Sequence, residues 1–306
     1  MKNGFIALAA CLGFGLLVVS LPAPAHDVDG GPDCGRSYRE FGDAPEGVLA
    51  YPGVIGAFPT CSGFGLPSTQ EFVCPPISSP PGPSGFVMHV AFGNGGNYWL
   101  GCYTDSSGAP MGVDHEFDGK MNQPAIGISL CDHAPTDCVE AAFGLTFDQD
   151  ECYTDGSDAG VKKPTLLVCS PSSVTYNVFN CSGPRVIFLN ILIDMNQDGD
   201  WNDNFACNPV AAGCAYEWAV KNIPVTLLPG CNILVSPTFL VGPKPGPGWM
   251  RVTISDDPVD PSFPWLGSLP GTFLRNGETE DYPVDIEIQT PALPGSWGKV
   301  KAIYRR

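Results

Sequence analysis

Two acidic cassettes hold the residue types and spacings best suited to chemistry. In Asp194-Met195-Asn196-Gln197-Asp198-Gly199-Asp200-Trp201-Asn202-Asp203, oxygen-bearing side chains alternate with other residues and a glycine follows the third of them. Asp194, Asn196 and Asp198 occupy the first, third and fifth places of a loop that wraps a hard cation. Gly199 stands at the sharp turn and Asp200 falls where a backbone carbonyl usually ligates. The twelfth place, where a helical calcium loop supplies a bidentate glutamate, is Phe205, so the shell must close with Asp203 or with residues distant in sequence. The second cassette, Gly277-Glu278-Thr279-Glu280-Asp281-Tyr282, places three carboxylates ahead of an alternating apolar run. The expected metal set is therefore Asp194, Asn196, Asp198 and Asp200 first, then Asp203, Glu278, Glu280 and Asp281, and the expected ion is Ca2+. The competing reading of the first cassette is an Asx-rich turn whose side chains bond their own backbone.

Three weaker acidic groups, Asp114 to Gly119, Asp148 to Glu151 and Asp155 to Asp158, read as solvated loops one by one. Together they repel unless a cation or basic partner neutralises them. Paired carboxylates also serve glycosidases, but nothing in the sequence sets their separation. There is no Gly-x-Ser-x-Gly elbow, no His-Glu-x-x-His and no phosphate-cradling Gly-x-x-x-x-Gly-Lys, so the expectation is a non-catalytic protein. Asn180-Cys181-Ser182 fits a glycosylation sequon only by chance.

The elements that must hold these cassettes are short. Apolar, β-branched and aromatic runs recur between turn residues: Phe86 to Phe92, Tyr98 to Cys102, Thr165 to Cys169, Val174 to Cys181, Val186 to Ile193, Tyr216 to Leu228, Ile233 to Val241, Trp249 to Ile254 and Tyr282 to Ile288. Their lengths and spacing predict an all-β fold, an antiparallel β-sandwich of jelly-roll or Ig-like type with long disulfide-braced loops. Val186 to Ile193 is continuously apolar, as a central strand should be, and delivers Asp194 to the sheet's edge. The proline-rich stretches Cys74 to Gly85 and Gly242 to Gly248 are expected to be exposed extended loops outside any ladder.

Residues 1–25 read as a secretory signal peptide: Lys2, an apolar stretch from Phe5 to Val19, and Ala23-Pro24-Ala25 as the cleavage site. Residues 26–289 then form the sandwich domain, with a cysteine-rich N-terminal part, and 290–306 a linker and tail. No later apolar run reaches the length of a membrane helix, so no transmembrane segment is expected in the mature chain. Of thirteen cysteines, Cys11 falls in the signal and twelve remain, all before residue 232, which in an exported chain is a disulfide framework rather than a zinc site. Cys207 with Cys214, and Cys131 with Cys138, lie close enough to close short loops. A net charge of −17 disfavours nucleic acid and anionic membrane as partners for the body of the protein. The tail departs from this balance: Trp297, Val300, Ile303 and Tyr304 share one helical side, beside Lys299, Lys301, Arg305 and Arg306. Two readings stand, an envelope contact or sorting signal, and a short helix docked on the acidic body.

Taken in order, Phe41-Gly42-Asp43-Ala44-Pro45, Leu100-Gly101, Val113 to Gly119, Leu192 to Trp201, Trp249-Met250-Arg251-Val252-Thr253-Ile254-Ser255 and Gly277 to Tyr282 resemble the GEVED domain of bacterial secreted and surface proteins. That resemblance implies an extracellular β-sandwich beside adhesion-type repeats, with no established catalysis. The chain departs from the pattern at Thr279 within the signature triplet, around Asn204 to Cys207, and in its abundance of cysteine. The function expected is a secreted or cell-surface, calcium-binding structural or adhesion module whose partner is an extracellular protein or glycan. The alternative is a carbohydrate-binding or carbohydrate-active protein, with Trp99, Trp201, Trp249 and Trp265 as stacking residues.

Overall fold

The computed structural model describes residues 36–42, 44–59, 87–96, 98–102, 160–207, 213–259 and 273–288. Eighteen strands run through them: β1 Arg36–Phe41, β2 Glu46–Tyr51, β3 Val54–Ala57, β4 Met88–Gly96, β5 Tyr98–Leu100, β6 Val161–Lys162, β7 Leu166–Leu167, β8 Pro171–Ser172, β9 Thr175–Asn180, β10 Arg185–Ile193, β11 Asn204–Ala206, β12 Cys214–Tyr216, β13 Val220–Leu227, β14 Gly230–Val235, β15 Phe239–Leu240, β16 Gly246–Ser255, β17 Leu274–Arg275 and β18 Glu278–Glu287. The described residues form no helix, and the all-β sandwich expected from the spacing of apolar runs is what they build.

A five-stranded sheet, in the order β13-β10-β16-β18-β7, faces a smaller sheet in which β9 lies between β14 and β5 and also pairs with β6. Period-two alternation sorts the side chains between faces. Ile187, Leu189, Ile191 and Ile193 of β10, Met250, Val252 and Ile254 of β16, and Tyr282, Val284 and Ile286 of β18 meet Tyr98, Leu100, Tyr176 and Val178 of the smaller sheet in the main core. On its opposite face the large sheet carries Leu192 and Trp249, which join Ala44, Ala50, Tyr51, Phe58, Trp201, Trp218 and Leu274 in a second core. Burial on both faces explains the second half of the apolar run, Leu189 to Ile193, while Val186 at its start is exposed. A third sheet, β1-β4-β17, and the pairs β2-β3, β11-β12 and β8-β15 complete the described fold.

Several strand boundaries differ from the sequence expectation, each for a local reason. Tyr216 to Leu228 divides into β12 and β13, and Ile233 to Val241 into β14 and β15. The proline stretch is not wholly a loop: Gly246, Pro247 and Gly248 pair with Ile286, Asp285 and Val284. Strand β10 accompanies β16 only as far as Met250, so Pro247 sits where β16 is an edge and its missing N–H costs no second ladder. Strand β18 begins at Glu278, which places the three carboxylates of the second cassette inside the strand instead of ahead of it.

Disulfides brace the described part. Cys102 bonds Cys231, tying the end of β5 to β14, and Cys169 bonds Cys207. The short loop expected from Cys207 and Cys214 is therefore not closed by them. Those residues instead flank the β11-β12 hairpin, in which Ala206 pairs with Cys214. The disulfides fit a chain that folds in an oxidising compartment. The signal peptide, the Cys131–Cys138 pair, the Cys74 to Gly85 stretch, the three weaker acidic groups and the 290–306 tail lie outside the described residues.

Candidate metal centre

The first cassette leaves the end of β10 and turns back toward β11. Asp194 fixes the turn: its backbone N–H donates to Trp249 O (2.9 Å), and its buried carboxylate accepts the N–H groups of Gln197 (2.7 Å) and Gly199 (2.9 Å) and the hydroxyl of Tyr51 (2.9 Å). Gly199 has φ +94°, and a Cβ there would lie 2.9 Å from the Ile55 carbonyl oxygen, so the close approach of β3 and the left-handed turn both require glycine.

Within this frame Asp198, Asp200 and Asp203 converge, each offering a carboxylate oxygen within 4.8 Å of the others, and Asp200 and Asp203 are buried. Asn196 stands between two of them. Its Nδ2 donates to Asp198 Oδ2 (3.0 Å) and Asp203 Oδ2 (2.6 Å), while its Oδ1 accepts the Asp198 N–H (3.1 Å). In this arrangement Asn196 braces the carboxylates and does not present an oxygen to a cation. Asp194 is likewise a brace, because both its oxygens already receive donors. The reading of the loop as a cation site and its reading as an Asx-rich turn overlap: Asp194 and Asn196 make the turn, Asp198, Asp200 and Asp203 form the cluster, and Asp200 Oδ1 also accepts the Asn202 N–H (2.9 Å) in an Asx turn of its own.

Glu217, absent from the expected set, is central. It is fully buried between β12 and β13, and its carboxylate accepts the N–H of Met195 (2.8 Å) and of Asp203 (2.9 Å). Its backbone holds the same two ends of the loop, accepting from Ile193 N–H (2.8 Å) and donating to Asp203 O (3.1 Å). The signal for it in the sequence was a lone carboxylate inside Ala215-Tyr216-Glu217-Trp218-Ala219-Val220, since an acid in an apolar stretch is buried only when something holds it.

The electrostatics of this corner are unfavourable without a counter-charge. Burial, then the charge of Asp198, pushes the Asp194 carboxyl from its ordinary 3.8 up to about 7. Burial, with the charges of Asp194 and Asp203, holds Glu217 well above the usual carboxylate range. Burial and the neighbouring Asp194 also raise Tyr51, keeping its hydroxyl a donor. At about 5 Å and an effective dielectric near 20, each ionised carboxylate pair repels by roughly 3 kcal/mol. Three hard oxygen donors at this spacing suit Ca2+ or Mg2+ and not a thiophilic metal.

The second cassette does not join this cluster as one group. Alternation places Glu278 and Glu280 on the main-core side of β18 and Asp281 on the opposite face. Glu278 accepts the Leu100 N–H, and Glu280 is buried beside Val252 in the ladder. Asp281 forms a buried two-pronged pair with Arg251, from Nε (2.7 Å) and Nη2 (2.5 Å). Its charge is balanced inside the sheet, because a fork of this geometry matches a carboxylate. The tryptophans considered for sugar stacking are also committed elsewhere. Trp99, Trp201 and Trp249 are each about 1% exposed, with Trp99 stacked on Phe179 and the other two in the second core, so none offers a free ring face. Trp265 lies outside the described residues. Asn180 is buried, with its amide donating to Gly183 O and Leu228 O, which agrees with the sequon being fortuitous.

No protein-family model and no curated protein sequence matches the chain. Among solved structures it is similar to native alpha-2-macroglobulin from Escherichia coli, in a fragment spanning domain MG7 to the C-terminus, at 15% identity and a TM-score of 0.24. The match covers 42% of this chain and 16% of that one.

Proposed function

We propose that this protein is a non-catalytic, secreted or cell-surface β-sandwich module whose 194–203 loop takes a divalent cation, Ca2+ by the hardness of its donors, and so presents a fixed surface to an extracellular protein or glycan in adhesion, envelope structure or matrix assembly. The observation that carries this reading is the convergence of Asp198, Asp200 and Asp203 within 4.8 Å at the end of the central strand. The buried carboxyls of Asp194 and Glu217 beside them add negative charge that a cation would offset. The motif order resembling GEVED domains and the disulfide framework support the same setting. Such an ion would be held by the three converging aspartates, with Asp194, Asn196 and Glu217 keeping the loop in shape around them.

The test is a calcium titration of the oxidised mature protein followed by thermal unfolding, with EDTA and magnesium controls and an Asp198→Ala/Asp203→Ala variant. At a hundred times Kd, calcium should stabilise the protein by about 2.7 kcal/mol, a rise in Tm of a few degrees. The variant should lose that rise. An equal rise in the variant would place the ion elsewhere, and no rise in either protein would leave the loop an Asx-rich turn.

A further inference from the structure

The segment from Ala44 to Pro59, containing the β2-β3 hairpin, begins and ends on one ion pair. Ala44 N–H donates to Asp281 Oδ2 (2.7 Å), and Arg251 Nη1 donates to the carbonyl of Pro59 (2.7 Å). Both side chains of the pair are fully buried. The chain just before the segment rests on the same pair: a Cβ on Gly42 would lie 2.5 Å from Arg251 Nη2 and 2.6 Å from Asp281 Oδ2, so only glycine lets the backbone pass there. Three stretches far apart in sequence, around Gly42, Arg251 and Asp281, thus meet at one point.

Between its two ends the segment crosses the acidic loop. Tyr51 donates to Asp194, Ala57 N–H donates to Gly199 O (2.6 Å), and Phe58 packs on Trp201 with ring centroids 4.4 Å apart. Trp201 in turn carries the Arg251 guanidinium over its ring at 4.7 Å. The ion pair, the loop and the segment therefore form a closed circuit of contacts outside the main core. At the far end of the hairpin, Pro52 and Gly53 are exposed.

We propose that residues 44–59 are a strap that docks and releases as one unit, buckled at both ends by Arg251 and Asp281, and that the 194–203 loop keeps its shape only while the strap is down. Arg251, Asp281 and Tyr51 are then positioning residues for the loop. Release would free the Gly199 carbonyl and take the Tyr51 hydroxyl from the Asp194 carboxylate together, because the same hairpin makes both contacts. The main core would stay intact, since the strap's apolar residues belong to the second core.

Residue-resolved hydrogen exchange on the oxidised full-length protein tests this. Tyr51→Phe removes one hydrogen bond and keeps the ring. Exchange at the Ala57, Gln197 and Gly199 amides should then accelerate by a common factor, about ten to a hundred for a bond to a carboxylate. Amides of β10 and β16 should not change. Asp281→Asn, which weakens the buckle away from the loop, should accelerate the same amides. If the Ala57 amide accelerates while those of Gln197 and Gly199 do not, strap and loop are uncoupled. If β10 and β16 accelerate equally, the strap does not release on its own. Either result overturns the proposal, and the tyrosine variant decides it even where the aspartate variant does not fold.

The link to a cation rests on the function proposed above, and calcium alone is the probe. Calcium binding, followed by competition with a chelating dye, should slow the strap and loop amides of the unsubstituted protein together. Binding without that slowing overturns the coupling. Absence of binding beside an intact Tyr51→Phe pattern overturns the cation reading and supports the strap.

Discussion

Replacing Asp194 by asparagine should make the metal-free protein more stable at neutral pH, although it removes a buried carboxylate that accepts three hydrogen bonds. The reason is the raised proton affinity of that group, whose pKa moves from 3.8 to about 7, first through burial and then through the charge of Asp198. A carboxyl that binds its proton more tightly when folded contributes stability that is complete below about pH 4. That contribution is lost as pH climbs through the folded value near 7. A tenfold change in proton affinity is worth about 1.4 kcal/mol, so the loss across this window is roughly 4 kcal/mol. Below pH 4 the protonated aspartate and the asparagine share a shape, but the variant should be the less stable by roughly 1–3 kcal/mol, because its amide NH2 faces an N–H that a carboxyl oxygen accepted. Between there and pH 8 the variant should gain roughly 4 kcal/mol on the unsubstituted protein and so overtake it. The assay is urea unfolding in EDTA across that pH range with disulfides intact, comparing midpoints at matched m-values. Taking the difference between the two proteins cancels titrating groups remote from the loop, while Glu217 and Tyr51, both raised by the Asp194 charge, ease with it and belong to the same signal. A constant difference at every pH, or a variant less stable at pH 8, would refute the reasoning, because it would mean that Asp194 stays ionised in the fold at no cost.

His89 should produce an opposite limb. Burial lowers it from 6.5 to about 4, and its ring bridges the Asn276 carbonyl (2.7 Å) and the Thr279 hydroxyl (2.8 Å). The stability it contributes is present above about pH 6.5 and falls by up to roughly 3 kcal/mol as pH drops toward 4. His89→Gln should flatten that limb in the same urea series. The disulfides should rank by the chain they close. With 129 residues between Cys102 and Cys231 and 38 between Cys169 and Cys207, loop entropy gives roughly 5 and 4 kcal/mol, so the double serine variant of the first pair should have the lower urea midpoint.

The apolar runs announced the strands, because a sheet buried on one or both faces leaves its period in the sequence. The acidic loop was legible for a similar reason. Alternating oxygen side chains around Gly199 specify a turn, and the spacing puts Asp198, Asp200 and Asp203 on one short loop, which Glu217 and the 44–59 segment then hold in shape. What was not legible depends on pairing between strands. The Arg251–Asp281 pair follows from the register of β16 on β18, which no local pattern encodes. Without that register the carboxylates of Glu278, Glu280 and Asp281 looked like one group, whereas alternation sends them to opposite faces. Glu217 was hidden by its apolar neighbours, and the tryptophans looked available because composition does not reveal the second core. Proximity in sequence likewise suggested Cys207 with Cys214, while the fold brings Cys169 to Cys207.

The contact between Ala44 and Asp281 spans 237 residues. A segment that emerges early in synthesis therefore has one anchor in the last described strand. Until Asp281 is paired with Arg251, residues 44–59 lack the anchor at their two ends, and their cover over Leu192, Trp201 and Trp249 is held by the loop contacts alone. The double anchoring of residues 44–59 therefore follows the pairing of β16 with β18. Contacts of such sequence separation form slowly. A chain cut short before β18 would keep its N-terminal hairpin and the loop it crosses but lose the Asp281 end of the anchor.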